Sequence, residues 1–176
     1  MFDTELTTEA NDLILVRDFA APRALVYQAW TDPQMLAAWW GPEGLTTTVD
    51  VDVRPGGSLS LIMHAPDGSD YPVMGEFGEV IDNEVLVMIM QVERHPPAWH
   101  AMIRGKYVEL GGEEAAYVGG PIPTRITFED CDAGTRVTVR QTFPQALVRD
   151  AHVALGNPVG WRSSFTKLDV VLAKVV

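Results

Sequence analysis

The sequence predicts an α+β fold in which a curved antiparallel sheet of seven strands wraps around a long C-terminal helix, with two short helices following the first strand. Three observations carry this reading. Apolar residues recur at three-and-four spacing around residues 22–40 and again after residue 146, they alternate with polar ones between residues 48 and 92, and Gly, Pro, Asn or Asp clusters separate the alternating runs. At 176 residues the chain matches the usual size of one domain, and 47% apolar composition is enough for a core without a disulfide or metal staple.

Residues 1–11 are expected to be a flexible leading segment, with a single domain from residue 12 to 176. The first strand spans Asp12 to Phe19, where Leu13 and Leu15 share one face and Ile14 and Val16 the other. Pro22 suits a first helical turn, and Leu25, Val26, Ala29 and Trp30 follow at helical spacing. Asp32-Pro33 restarts a helix, with Asp as the N-cap and Pro as the first residue, and that helix stops at Gly41-Pro42.

The period then changes to two. Val49, Val51 and Val53 form one strand, Pro55-Gly56-Gly57 turns it, and Leu59, Leu61 and Met63 form the next. Pro66-Asp67-Gly68 makes another turn, which sets Val73, Gly75 and Phe77 against Met63, Leu61 and Leu59. Pairing residue 81 with 84 across Asp82-Asn83 places Phe77, Gly75 and Val73 opposite Met88, Met90 and Val92, so four strands share one apolar face. That register leaves Val80, Val85, Val87 and Ile89 on the outer face, along with His64 and Glu76.

Residues 95–121 interrupt the pattern with His95-Pro96-Pro97 and two Gly-Gly pairs, and read as a long excursion in which Met102 to Leu110 extend or add a strand. Strands resume at Ile126 and Phe128, turn through Asp132-Ala133-Gly134, and return with Val137, Val139, Gln141 and Phe143. A first helical piece runs from Ala146 to Leu155, Gly156-Asn157-Pro158 breaks it, and Trp161, Phe165, Leu168 and Leu172 line one face of a second.

The charge balance, 13 basic against 24 acidic residues, gives a net charge of −11 that repels phosphate backbones and anionic headgroups. Nucleic-acid partners and membrane insertion are therefore not expected. The single cysteine, Cys131, has no pairing partner within the chain and lies beside Asp130 and Asp132, which disfavour a thiolate. With no signal-like N-terminus, the expected compartment is the cytoplasm.

Several motifs carry a family likeness. Phe19-Ala20-Ala21-Pro22, Ala29-Trp30-Thr31-Asp32-Pro33, Trp39-Trp40-Gly41-Pro42-Glu43-Gly44, Arg54-Pro55-Gly56-Gly57, Pro66-Asp67-Gly68, Gly134-Thr135-Arg136 and Gly160-Trp161 resemble the SRPBCC, or START-like, helix-grip superfamily. Within it, the chain is similar to the activator of Hsp90 ATPase homologue 1-like branch. The resemblance implies a helix-grip fold with a cavity between sheet and terminal helix. It implies no single activity, because small members of this kind share a fold rather than a reaction. The excursion at 95–121 and Pro158 depart from the family pattern where a cavity mouth is expected. The chain also lacks the N-terminal domain of the eukaryotic Hsp90 activator, so Hsp90 is not the expected partner.

The candidate ligand-binding residues are Trp39, Trp40, Met63, Phe77, Met88, Met90, Phe128, Gln141, Trp161, Phe165 and Leu168. The tryptophans offer flat stacking faces or serve as core and lid, and the Met and Phe residues line a pocket or fill it. Gln141, in phase with Val137 and Val139, hydrogen-bonds either a ligand or a neighbouring protein group. His64, His95, His100 and His152 all read as structural or surface residues, with His95 and His100, beside Trp99 and Tyr107 in the excursion, alternatively gating or contacting a ligand at the mouth. No pair of histidines has metal-ligand spacing, so no metal or other cofactor is expected. Nucleophile-elbow, zincin, Walker and dinucleotide motifs are all missing. The expected function is binding of a small hydrophobic or aromatic molecule. The alternatives are a cyclase-like enzyme acting in the same cavity, and an interaction module that docks a chaperone or a second copy on the outer sheet face.

Overall fold

The computed structural model describes residues 3–175. It contains β1 (Glu5–Glu9), β2 (Asp12–Phe19), α1 (Arg23–Thr31), α2 (Pro33–Trp39), β3 (Thr46–Val51), β4 (Ser58–His64), β5 (Asp70–Ile81), β6 (Val85–Gln91), α3 (Pro97–Glu109), β7 (Ile122–Cys131), β8 (Gly134–Thr142), α4 (Ala146–Ala154) and α5 (Asn157–Ala173). The strands form one antiparallel sheet in the order β1-β2-β8-β7-β6-β5-β4-β3.

The sheet has eight strands rather than the expected seven. The additional one is β1, drawn from a segment expected to precede the fold, and it pairs Leu6 with Leu15 and Thr8 with Leu13. It escapes sequence reading because Leu6 is its one half-buried residue, so it shows no alternation. Its turn also places Ala10 at φ 47°, a conformation usually given to Gly or Asn.

Local chemistry sets the two short helices as the sequence implies. Asp32 caps α2, its Oδ1 accepting from the backbone N–H of Gln34 at 3.0 Å and of Met35 at 2.9 Å. Farther on, β5 and β6 show how a local error can cancel. The turn pairs Ile81 with Val85, one residue beyond the expected partner, and a bulge between Phe77 and Val80 absorbs the difference. Beyond it Phe77 faces Met88 and Gly75 faces Met90, as the alternation implies. Val80 pairs with Leu86 and packs against the core, which overturns its outer-face assignment. Between β4 and β5 the register is offset by two residues from expectation, with Leu61 opposite Val73 and Met63 opposite Tyr71. A two-residue offset keeps every side chain on its face.

The segment read as a possible strand is helical. Pro96 and Pro97 open α3 in the position where a missing N–H costs nothing, and Trp99, Ile103 and Tyr107 recur every fourth residue on its inward face. Gly105 and the exposed Met102 and Val108 obscure that period. At the other end of the chain α4 stops before Gly156, which sits at φ 93°, and α5 starts at once with Pro158 in its first turn. Gly156, not Pro158, makes the break.

The strands present one apolar face, including Leu15, Leu61, Phe77, Met88, Ile126 and Val139, to the helices. Under α1, α2 and α5 that face is closed by rings. Trp30 lies 4.7 Å from Trp39, 6.0 Å from Phe128 and 6.1 Å from Trp161, and Phe165 meets Phe19 edge to face at 5.6 Å. Arg17, buried on β2, pairs with Asp169 and fixes α5 to the sheet.

Candidate functional site

Past this aromatic cluster the helices stand off the sheet and leave a cavity of about 290 Å³. Met63, Val73, Met90, Ile122 and Gln141 form its floor, one from each of β4 to β8. Trp40, Gly41 and Pro42 close one side, and His95, Trp99, Met102 and Ile103 the side toward α3. His152, Leu155, Gly156 and Asn157 come from the α4–α5 junction, and Gly160, Trp161 and Ser164 from α5. The kink at Gly156 is what lets two helices bend around one hollow. Met102, 52% exposed yet lining the cavity, marks its mouth.

The side next to Trp40 is rigidly held. Lys167 Nζ donates to the Gly41 carbonyl at 3.0 Å, the Glu43 N–H donates to Ser163 Oγ at 2.8 Å, and Thr47 Oγ1 donates to the Trp40 carbonyl at 2.7 Å. Gly41 itself sits at φ 87°, and a Cβ there would come within 3.0 Å of Met63 Sδ. Only glycine lets the loop lie this close to the cavity floor.

Polar groups in the wall divide into paired and unpaired. Trp161 Nε1 donates to Gln141 Oε1 at 3.0 Å, and Ser164 Oγ to the Gly160 carbonyl at 3.0 Å. By contrast, both ring nitrogens of His95 and the Oδ1 of Asn157 are buried without a protein partner among the described residues. His95 is 8% exposed and His152 6%. Burial, assisted for His95 by the neighbouring His100 and for His152 by His95, lowers both imidazoles to about 4, so both are neutral at pH 7. Trp99 stands among them, its ring 4.5 Å from His95 and 5.5 Å from His152. Its far side, with His152, Val92 and Ile122, bounds a second hollow of about 370 Å³ that reaches His100 and Arg104.

Of the residues expected to bind a ligand, Trp40, Met63, Met90, Gln141 and Trp161 line the cavity. Trp39, Phe77, Met88, Phe128, Phe165 and Leu168 are packed in the core beside it. Trp39 is anchored away from the hollow because its Nε1 donates to the Ala29 carbonyl at 2.8 Å. His95 and Trp99 reach the wall, whereas His100 borders the second hollow and Tyr107 packs on Tyr117 at 5.3 Å. Sequence reasoning passed over Met102, Ile103, His152 and Asn157. The four-residue spacing from Trp99 through Ile103 to Tyr107 was the available signal for α3, and the others depend on the Gly156 kink.

A second constellation lies apart from both hollows. Thr48 Oγ1, His64 Nε2 and Nδ1, and Asp70 Oδ1 form a hydrogen-bonded chain at 2.8 and 2.7 Å across β3, β4 and β5. Its groups are of the nucleophile, base and carboxylate types, but it is solvent-exposed, lines neither hollow described above, and acts as a cross-strand polar contact. Among the described residues no three His, Cys, Asp or Glu side chains are grouped to hold a metal ion. No helix among them is long and apolar enough to cross a membrane.

The family model described as activator of Hsp90 ATPase homolog 1-like protein matches residues 20–173. Protein NE0264 from Nitrosomonas europaea is similar in structure at 25% identity, covering 96% of this chain and 97% of its own, with a TM-score of 0.74. Protein Ms6760 from Mycobacterium smegmatis is similar at 25% identity over 99% of this chain and 98% of its own, with a TM-score of 0.75. A Silicibacter pomeroyi protein, 24% identical over 94% of this chain and 99% of its own, shares the fold at a TM-score of 0.68. No functionally curated protein matches the sequence.

Proposed function

The chain belongs to the activator of Hsp90 ATPase homolog 1-like family, and from that premise we propose that it binds a small hydrophobic or aromatic molecule in the cavity between the sheet, α3 and the α4–α5 junction. The observation that carries this reading is a 290 Å³ hollow walled by Trp40, Trp99, Trp161, Met63, Met90 and Ile122 in a molecule whose other end is filled by its own rings. A protein of this size has enough apolar side chains to fill both ends, and an unfilled apolar space forfeits packing energy. The volume lies near the lower edge of typical small-molecule sites.

Catalysis in the same cavity is the second reading, supported by the imidazoles of His95 and His152. Magnitude favours binding. An imidazole at about 4 is neutral at pH 7 but a poor base, far from the near-neutral value that suits general acid–base work. Docking of Hsp90 or of a second copy on the outer face has less behind it. Val87 and Ile89 there are already half-buried, and Arg125, paired opposite Val87, reaches Glu79 at 2.6 Å across the same face.

Thermal-shift and native mass spectrometry with naphthalene as the apolar probe test the binding reading. Wild-type protein is expected to gain several degrees in Tm and to carry one probe molecule, and Ile103→Trp, which fills the hollow, is expected to abolish both. An unchanged Tm with no adduct, or equal binding by the filled variant, would overturn it.

A further inference from the structure

We propose that the cavity selects an uncharged ring compound bearing a hydroxyl group, and that His95 is the residue that accepts the hydroxyl proton in a hydrogen bond. This rests on the reading of the cavity as a ligand site and adds the chemistry of the ligand.

The His95 ring lies between two aromatic neighbours. Its edge contacts with Trp99 at 4.5 Å and Tyr71 at 5.6 Å can satisfy an imidazole N–H, because aromatic faces are electron-rich. They cannot satisfy the other nitrogen, whose lone pair needs a donor, and neither nitrogen has a protein partner. A side chain kept for packing alone would be better as Phe or Leu, since a buried polar atom without a partner destabilises the fold. The Asn157 Oδ1, which enters the wall from the first turn of α5, is a second acceptor in the same condition. Both groups therefore want a ligand that donates.

The cavity wall also excludes a charged ligand. Among the described residues no Asp, Glu, Lys or Arg lines this cavity, and the imidazoles, held at about 4, supply no cation at pH 7. A carboxylate, phosphate or ammonium would enter unpaired and lose its hydration. A hydroxyl loses little and gains His95. The volume of the cavity sets the bulk of the ligand. An apolar cavity of roughly 150 Å³ holds benzene, so 290 Å³ suits a molecule of about two fused rings. The ring nitrogens of His95 are shielded from the cavity it borders, and the proposal includes a turn of the imidazole about its Cβ–Cγ bond that presents one of them to the ligand.

Calorimetric titration at pH 7 with naphthalene, 2-naphthol and 2-naphthoate tests the proposal. The hydroxyl compound is expected to bind about tenfold more tightly than naphthalene, the factor one net hydrogen bond confers, and the carboxylate is expected not to bind. His95→Phe should remove the preference for 2-naphthol over naphthalene and raise Tm, since it removes an unpartnered polar ring. In wild-type protein labelled with ¹⁵N-histidine, 2-naphthol but not naphthalene should shift one His95 ring nitrogen. Equal affinity for naphthol and naphthalene, a preference that survives in His95→Phe, or tight binding of the carboxylate overturns the proposal while leaving the cavity a ligand site. Failure of all three probes to bind overturns the cavity reading, and this one with it.

Discussion

The two ends of the inner sheet face are built from similar residues and finished differently. At one end Trp30, Trp39, Trp161, Phe128 and Phe165 interlock; the Trp39 N–H is bound to the Ala29 carbonyl, while the Trp30 N–H is buried without a partner among the described residues and compensated by ring packing. At the other, Trp99, Met90 and Ile122 stand around open space and His95 is left without a partner. The contrast teaches where this protein gains stability and where it gives some up. Dense packing fixes α5 on the sheet, and the hollow beyond Gly156 is held open by what the dense end secures.

The sharpest break of the contrast is to damage the dense end. Phe165→Ala is expected to cost about 3–5 kcal/mol, as other large-to-small core changes do, because Phe165 is fully buried against Phe19, Trp30 and Trp161. Denaturant titration measures it, and a loss below about 1 kcal/mol would show that this end is not close-packed. Next, counted per residue, is an acid effect from the hollow end. His95 and His152 are lowered from 6.5 to about 4 in the fold, so between those values the unfolded chain binds protons that the native protein does not. Stability is therefore full above pH 6.5 and falls as pH drops toward 4, by up to about 3 kcal/mol for each histidine. Tm followed from pH 7 to 4 should show that slope, and His95→Phe should flatten it by about half. A slope unchanged by the substitution would mean that His95 takes up its proton without leaving the fold. The smallest effect lies on the border between the ends. Trp161→Phe keeps a ring against Trp30 but strands Gln141 Oε1, and should cost about 1–3 kcal/mol, with Gln141→Leu in the same background recovering part of it.

How far the sequence reached follows the same division. The α1–α2 pair was legible because its signals are local, an Asp cap followed at once by Pro. The four-strand meander was legible because alternation survives a misplaced turn, as the bulge after Phe77 shows. Trp39 and Trp40 could not be separated from sequence, since which neighbour meets the hollow depends on the helix ending between them. β1 carried too little burial to leave a pattern, and α3 was masked by Gly105 and by exposed apolar residues on its outer face. The partnerless state of His95 and Asn157 cannot be read from a chain at all, because it is a fact about what every other element fails to bring near them.

Trp99 stands apart from the other four of the protein's five tryptophans, which touch one another ring to ring. Its ring neighbours are three imidazoles, His95, His100 and His152, and it forms the shared wall of two hollows. An indole in that position emits light whose colour follows the polarity on either side and whose brightness falls when an adjacent imidazole gains a proton. Trp99 emission is therefore expected to report entry of a probe into the proposed ligand site, with Trp99→Phe as the control that separates its signal from that of the coupled cluster.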